Sequence, residues 1–400
     1  MAAGKVYPGV LMNRSVALLL LLGVVVGAQE DPAQLRDRGA ALVAAGKYAE
    51  AEPLLSRALQ TAEAAAGSEA PSLLPAIGEL AALYRAEGRN TEAEKLYLRS
   101  VALREKSSGP GSVDVIPDLK LLAGLYVALA RPTDAEKQYL RVISIRIEAK
   151  GTDDLDLAGD CADLAAFYIS QKRFAVAEPN LRRAVDIMQK KLGLEDPALV
   201  PVLDSLATVF IEQKIFPMAE SPLRRVISIR ERVDGPSHAS VAPHLDRLAM
   251  LFYLQKRYAE AEALYRRSLA IWETAMGPDN PDLATTLDNL AVVLASQEKF
   301  AEAAPLYRRS LALRETMSVA SLNNLAMVLA EQGLNEAAER NYKLAVSIAE
   351  KIPVAAPSDK PTPLAATLEN YATLLHKLKR EAEAKKVEMR LHALPQPAKP

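Results

Sequence analysis

The sequence predicts an all-α solenoid of about nine helical hairpins, and three observations predict it. An alanine recurs at Ala51, Ala93, Ala135, Ala177, Ala219, Ala261 and Ala303, each 42 residues after the last. Six residues beyond each stands an arginine: Arg57, Arg99, Arg141, Arg183, Arg225, Arg267 and Arg309. A glycine keeps the same stride at Gly67, Gly109, Gly151, Gly193, Gly235 and Gly277. One spacing shared by three residue types excludes coincidence, and a period of about 20–50 residues marks a repeat architecture. Composition agrees. Half of the 400 residues are hydrophobic but only 5% are aromatic, which suits an alanine- and leucine-rich helical chain better than a β-sandwich.

The segment before the array is of a different kind. In residues 1–28 the only charges are Lys5 and Arg14, and they precede the apolar run "SVALLLLLGVVVGA". Val26 and Ala28 supply small residues three and one positions before a cleavage point, so 1–28 reads as a signal peptide. An uncleaved N-terminal membrane anchor is the alternative, although the run is shorter than the ~20 residues a spanning helix needs. Export is therefore the expected localisation, periplasmic or secreted. The lone cysteine, Cys161, cannot form an internal disulfide, so an exported chain must rest on packing alone.

Residues 29–350 form the repeat array, about eight units. In "SLLPAIGELAALYRAEG" (72–88), Leu73, Ile77, Leu80, Ala81 and Tyr84 share one face at helical intervals. Ala81 recurs as Ala123, Ala165, Ala207, Ala249 and Ala291, where a small residue lets a facing helix approach. Tyr84 recurs as Tyr126, Tyr168, Phe210 and Phe252, then relaxes to Leu294. This is helix A of each unit. After a break near "EGRN" or "QKRY" comes helix B, which carries the marker alanine, as in "TEAEKLYLRSVALREKSS" (91–108). The recurrent glycine follows helix B, where a left-handed conformation is expected. Asp196 and Asn280 then stand as N-caps, with Pro197 and Pro281 at the first helical position. A single hairpin buries too little surface to be stable alone, so neighbours must stack.

The end of the array is less regular. The next marker alanine is placed at Ala337, and the Gly-Pro loop before it is lost. Residues 351–363, "KIPVAAPSDKPTP", form a proline-rich connection. A final hairpin, 364–393, has its marker at Ala384, and 394–400 reads as a disordered tail. These irregularities should bend the array near 315–365.

Paired helices with a small residue and then an aromatic in A, and an alanine in B, resemble the tetratricopeptide repeat. The 42-residue version, with "AEALYRRSLAI" followed by "GPDNPDLATTLDNLAVVL", looks specifically like the kinesin light chain type. The resemblance covers roughly 33–393 and implies a right-handed superhelix whose concave face is lined by the A helices. It also implies that binding residues project from helix A between its core positions. On this sequence those places hold Asp204, Asp246, Arg247, Asp288, Asn289, Asn323, Asn324 and Asn370. The family's "LNNLA" wording survives in full only at 322–326, with "LDNLA" at 287–291 and "LENYA" at 368–372. The N-terminal half departs from it.

An amide offers a donor and an acceptor, so a row of them can track a peptide backbone without demanding a sequence. Asp204, Asp246 and Asp288 add negative charge one repeat apart and favour a basic or backbone-donor ligand. The expected function is a non-catalytic scaffold holding an extended protein or peptide partner in that groove. A self-associating structural solenoid of an envelope assembly is the alternative, and an enzyme with its catalytic residues in loops is a third class. Net charge is −1, so no basic surplus marks a nucleic-acid binder. Neither a phosphate loop, a nucleophile constellation nor a metal-ligand spacing is visible, and no cofactor is expected. His238, His244, His376 and His392 lie in different units. Cys161 falls in a column of core leucines. The seven arginines suit contacts between neighbouring repeats better than anion binding. Trp272 stands in a column otherwise holding Arg104, Arg146, Arg230 and Arg314, and is expected to face outward against a loop.

Overall fold

The computed structural model describes residues 31–314, 318–351 and 362–394. The signal-peptide, most of the proline-rich connection and most of the C-terminal tail lie outside the described residues. The chain divides into two compact units, Met1–Thr152 and Asp153–Pro400. Described residues are all-α, with no strand, and eighteen helices pair into nine hairpins. In the first unit these are α1 (Pro32–Ala44), α2 (Tyr48–Ala66), α3 (Leu74–Ala86), α4 (Asn90–Ser108), α5 (Ile116–Ala128) and α6 (Pro132–Lys150). The second unit holds α7 (Leu155–Ser170), α8 (Phe174–Leu192), α9 (Val200–Glu212), α10 (Phe216–Asp234), α11 (Ala242–Leu254) and α12 (Tyr258–Met276). It continues with α13 (Leu283–Ser296), α14 (Phe300–Leu313), α15 (Val319–Glu331), α16 (Asn335–Ala349), α17 (Pro363–Lys377) and α18 (Glu381–His392). Odd-numbered helices are the A helices and even-numbered ones the B helices. None of the described helices is long and apolar enough to cross a membrane.

The recurrent columns are the core of both units. The six helix-A alanines and the marker alanines are fully buried, and Tyr126, Tyr168, Phe210 and Phe252 are nearly so. An alanine at these contacts lets backbones approach, and the ring three residues on fills the space beside it. In the eighth hairpin the buried alanine is Ala338, not Ala337, so the stride from Ala303 is 35 residues. Tyr307 and Tyr342 confirm the alignment, since each is buried four residues after its marker. Cys161 is fully buried in helix α7, as expected of a small hydrophobe.

Both kinds of turn have fixed geometry. Within every hairpin the amide three residues past the end of helix A bonds back over five residues, as Arg89 N–H to Tyr84 O and Arg257 N–H to Phe252 O, both 2.8 Å. This closure needs one residue at positive φ. Gly46, Gly88 and Gly333 supply it at some turns, Ala130, Lys172, Lys214, Lys256, Glu298 and Lys379 at the others. Between hairpins the recurrent glycine differs from the left-handed expectation. Gly193 has φ 96° and ψ 165°, an extended region with positive φ that is essentially restricted to glycine. Asp196 caps the next segment by accepting from Ala198 N at 2.9 Å. Pro197 opens a 3₁₀ turn there, Pro197–Leu199, and the α-helix begins only at Val200.

Candidate functional site

Most of the conspicuous charge is spent on holding hairpins together. Five of the seven recurrent arginines, Arg99, Arg141, Arg225, Arg267 and Arg309, cross from their B helix to the preceding inter-hairpin loop. Arg99 donates to Ser68 O at 2.7 Å, Arg225 to Leu194 O at 2.8 Å, Arg267 to Pro236 O at 2.8 Å and Arg309 to Pro278 O at 2.6 Å. Arg99, Arg267 and Arg309 also pair with Glu63, Glu231 and Glu273 at 2.5, 2.6 and 2.5 Å. A guanidinium can serve a carbonyl and a carboxylate at once because its donors fan out in a plane. The column is structural.

A second basic column escaped the sequence reading. Arg89, Arg131, Arg173 and Arg257 each follow the positive-φ residue of a hairpin turn. Their guanidinium carbons stack 4.1, 4.4, 4.6 and 3.9 Å from the ring centres of Tyr84, Tyr126, Tyr168 and Phe252. Three of them reach the B helix of the preceding hairpin: Arg89 to Glu52, Arg131 to Glu94 and Arg257 to Glu220, at 2.9, 2.9 and 2.6 Å. Lys299 repeats the reach to Glu262 at 2.7 Å and Arg380 to Glu339 at 2.5 Å. Burial alone would raise the pKa of Glu262, but Lys299, Arg266 and Gln297 outweigh it and hold the carboxyl at about 2. The signal was available: a basic residue stands four places before the marker alanine in six of the seven 42-residue units, Ile215 being the exception.

The expected binding residues all lie in the second unit, on α9, α11, α13, α15 and α17, and all are half-buried. The acidic ones are brought to the next A helix. Asp204 Oδ1 accepts from Arg247 at 2.5 Å, and the same guanidinium reaches Thr208 Oγ1 at 2.8 Å. Thr286 Oγ1 donates to Asp246 at 3.0 Å. Asp288 accepts from Ser321 Oγ at 2.6 Å and pairs with Arg314 at 2.7 Å. Farther on, Asn370 Nδ2 donates to Asn323 Oδ1 at 3.1 Å. Arg247 and Asp204 therefore neutralise each other. The Asn324 amide faces the buried Tyr307 hydroxyl, and Asn289 has no side-chain hydrogen bond among the described residues.

Trp272 departs from its expected place. It is half-buried, and its side chain faces the Asp246 carboxyl together with Ser268 and Thr286. Desolvation outweighs all three and raises the Asp246 pKa. His244 Nδ1 lies 3.5 Å from Asp204. Among the described residues no group of three or more His, Cys, Asp or Glu side chains could hold a metal ion. Burial pushes the Cys161 thiol up to about 11, which leaves it protonated and inert as a nucleophile. A surface depression on α10 is lined by Pro217, Glu220, Ser221, Arg224, Arg225 and Ser228, none of them an expected binding residue.

Comparison with known proteins agrees with this geometry. Two family models, both described as tetratricopeptide repeat, match residues 72–148 and 240–316, and residues 34–71, 161–198 and 318–352. No curated protein matches the chain. Among solved structures, the apo form of RapI is 13% identical, with a TM-score of 0.57 over 90% of this chain and 97% of that one. A STAND signal-transduction ATPase with a tetratricopeptide-repeat sensor, from Pyrococcus horikoshii, is 14% identical with a TM-score of 0.53, covering 85% of this chain and 52% of that one. A putative kinesin light chain from Podosopora anserina, with nearly identical repeats, is 23% identical with a TM-score of 0.45, covering 52% of this chain and 98% of that one. The matched models span more than half of the sequence, and the hairpins they cover are those described above: the chain belongs to the tetratricopeptide-repeat family.

Proposed function

We propose that the chain is a non-catalytic scaffold that holds an extended protein or peptide segment along the A helices between residues 204 and 324. The observation that carries this reading is the division of labour within that row. Its acidic members are occupied by the neighbouring hairpin, as in Asp204 with Arg247 and Asp288 with Arg314, whereas the Asn289 and Asn324 amides, one repeat apart, are half-buried and make no such ion pair. An amide has two donor hydrogens and two acceptor lone pairs, so Asn324 keeps capacity for a passing backbone beyond its contacts with Asn323 and Tyr307. The 42-residue stride and the "LNNLA" wording at 322–326 support the kinesin light chain type of repeat for this stretch. The segment 1–28 supports export from the cytosol, which intact mass of the protein recovered from outside the cytosol would test.

The binding reading is tested by selecting linear peptides from a random display library on the full chain. Enriched peptides are expected to lose about tenfold in affinity for the Asn289→Ala/Asn324→Ala variant, the loss of one or two hydrogen bonds, with an unchanged melting temperature. Unaltered affinity in that variant refutes the placement, and failure to enrich any linear peptide refutes the scaffold.

A further inference from the structure

The same three places recur where a B helix meets its own A helix and the next one. In the seventh hairpin they hold Asp288, Arg314 and Ser321, joined by the ion pair and hydrogen bonds described above. In the second hairpin Arg104 takes the arginine place and bonds Asp118 on the following A helix. In the fourth the three places hold Ala162, Met188 and Val202, all apolar. Charge is balanced in the second and seventh and absent in the fourth, while the third holds Lys120, Arg146 and Asp160. Of the fifth, sixth and seventh hairpins, whose first place is Asp204, Asp246 and Asp288, only the sixth lacks an arginine in the second place. Its places hold Asp246, Trp272 and Thr286, so a carboxylate is kept and the arginine that should answer it is a tryptophan.

Asp246 Oδ2 accepts from Thr286 at 3.0 Å, while Oδ1 is shielded from solvent and has no hydrogen-bond partner. The difference from the seventh hairpin lies in the missing cation, since Asp288 Oδ1 is likewise shielded and without a hydrogen-bond partner. Among the described residues no lysine, arginine or histidine pairs with Asp246. The nearby cations are engaged elsewhere: Arg247 with Asp204 and Arg314 with Asp288. What surrounds the carboxyl is Thr286, Ser268 and the half-buried Trp272. A half-buried carboxylate with only neutral donors about it, two hydroxyls and an indole N–H, suits a guanidinium or an ammonium through a charge-assisted hydrogen bond.

We propose that Asp246 and Trp272 form a subsite for one cationic group of the bound segment, an arginine or lysine side chain, which answers Asp246 as Arg314 answers Asp288 in the next hairpin. The partner supplies the missing charge. This rests on the scaffold reading for the rest of the segment, but the subsite can be probed without it. Trp272 is the only tryptophan in the chain, so its fluorescence reports from the site itself.

The experiment titrates the full chain with acetyl-arginine methylamide, too short to use the amide row, and with its uncharged citrulline counterpart. The arginine compound should change Trp272 emission saturably and bind at least about tenfold tighter than citrulline, the scale of one charge-assisted bond. Asp246→Asn, nearly isosteric and relieved of an uncompensated charge, should fold and lose that preference, whereas Asn289→Ala/Asn324→Ala should keep it. Trp272→Arg, followed by calorimetry, should also abolish it by filling the place from within. Equal binding of the two compounds, no response to either at millimolar concentration, or a preference that survives Asp246→Asn would each overturn the subsite. In every one of those cases the peptide-selection result would still decide the scaffold reading separately.

Discussion

Replacing Gly193 with alanine, beside the same change at Gly159, isolates backbone conformation from every other effect. Neither added Cβ meets an atom within 4 Å, so neither substitution creates a clash. Both save the unfolded chain the same backbone entropy, about 0.4–1 kcal/mol in favour of the variant. Gly159 lies inside helix α7, where alanine is at ease. Its variant should be more stable by about 0.5–1 kcal/mol. Gly193 sits at φ 96°, ψ 165°, where a side chain costs about 1–3 kcal/mol. After the entropic gain is subtracted, its variant should be less stable by about 1–2 kcal/mol. Urea unfolding followed by far-UV circular dichroism reads both, and opposite shifts of the midpoint with an unchanged slope are expected. Shifts of the same sign would refute the positive-φ geometry and with it the account of how one hairpin hands the chain to the next.

Three further outcomes follow from the contacts. Lys214→Gly, at φ 60° in a hairpin turn, should stabilise by about 0.5–1 kcal/mol, since relief of a left-handed lysine exceeds the added chain entropy; a lower urea midpoint would contradict it. Arg257→Ala should lower the thermal midpoint, and Arg257→Lys should not restore it, because an ammonium cannot stack on Phe252 while spanning Glu220 and Glu260; full recovery with lysine would show that charge alone suffices. Glu262 is held at about 2, below its unfolded value near 4.3. Its contribution is therefore present above the unfolded pKa and lost as pH falls through that window. The stability difference between the wild type and Glu262→Gln should be constant near neutrality and shrink between about pH 4 and pH 2, and a difference that grows on acidification would reverse the assignment.

Much of the fold was legible because repetition multiplies a weak local signal. One buried alanine says little, but Ala81 and its equivalents at a single stride place helix A, and the arginines placed helix B with its contacts. What eluded the sequence was three-dimensional partnership. Trp272 looked outward because four other hairpins hold an arginine in its place, yet Arg314 there turns toward a seam with Asp288. The marker in the eighth hairpin was misplaced by one residue because "EAAE" offers two adjacent alanines, and only burial distinguishes Ala338 from Ala337. The glycine between hairpins was read as left-handed since that is its usual state after a helix; its extended ψ, which Gly151 and Gly277 share with no 3₁₀ helix after them, has no sequence signature of its own. The acidic row was visible as spacing, but not that Arg247 would be spent on Asp204.

The arginine bonds to Ser68, Leu194, Pro236 and Pro278 share a further property. Each spans 31 residues, less than one full stride. Contacts so short-ranged make every hairpin answerable only to the ones before and after it. Excising 42 residues between equivalent points, for instance from within α10 to the matching point in α12, would rejoin like to like and leave each surviving bond its counterpart. Length is thus a free variable for this architecture, and a lineage could lengthen or shorten it by whole periods while a singular feature such as the Asp246–Trp272 pair stayed with the one copy that carries it.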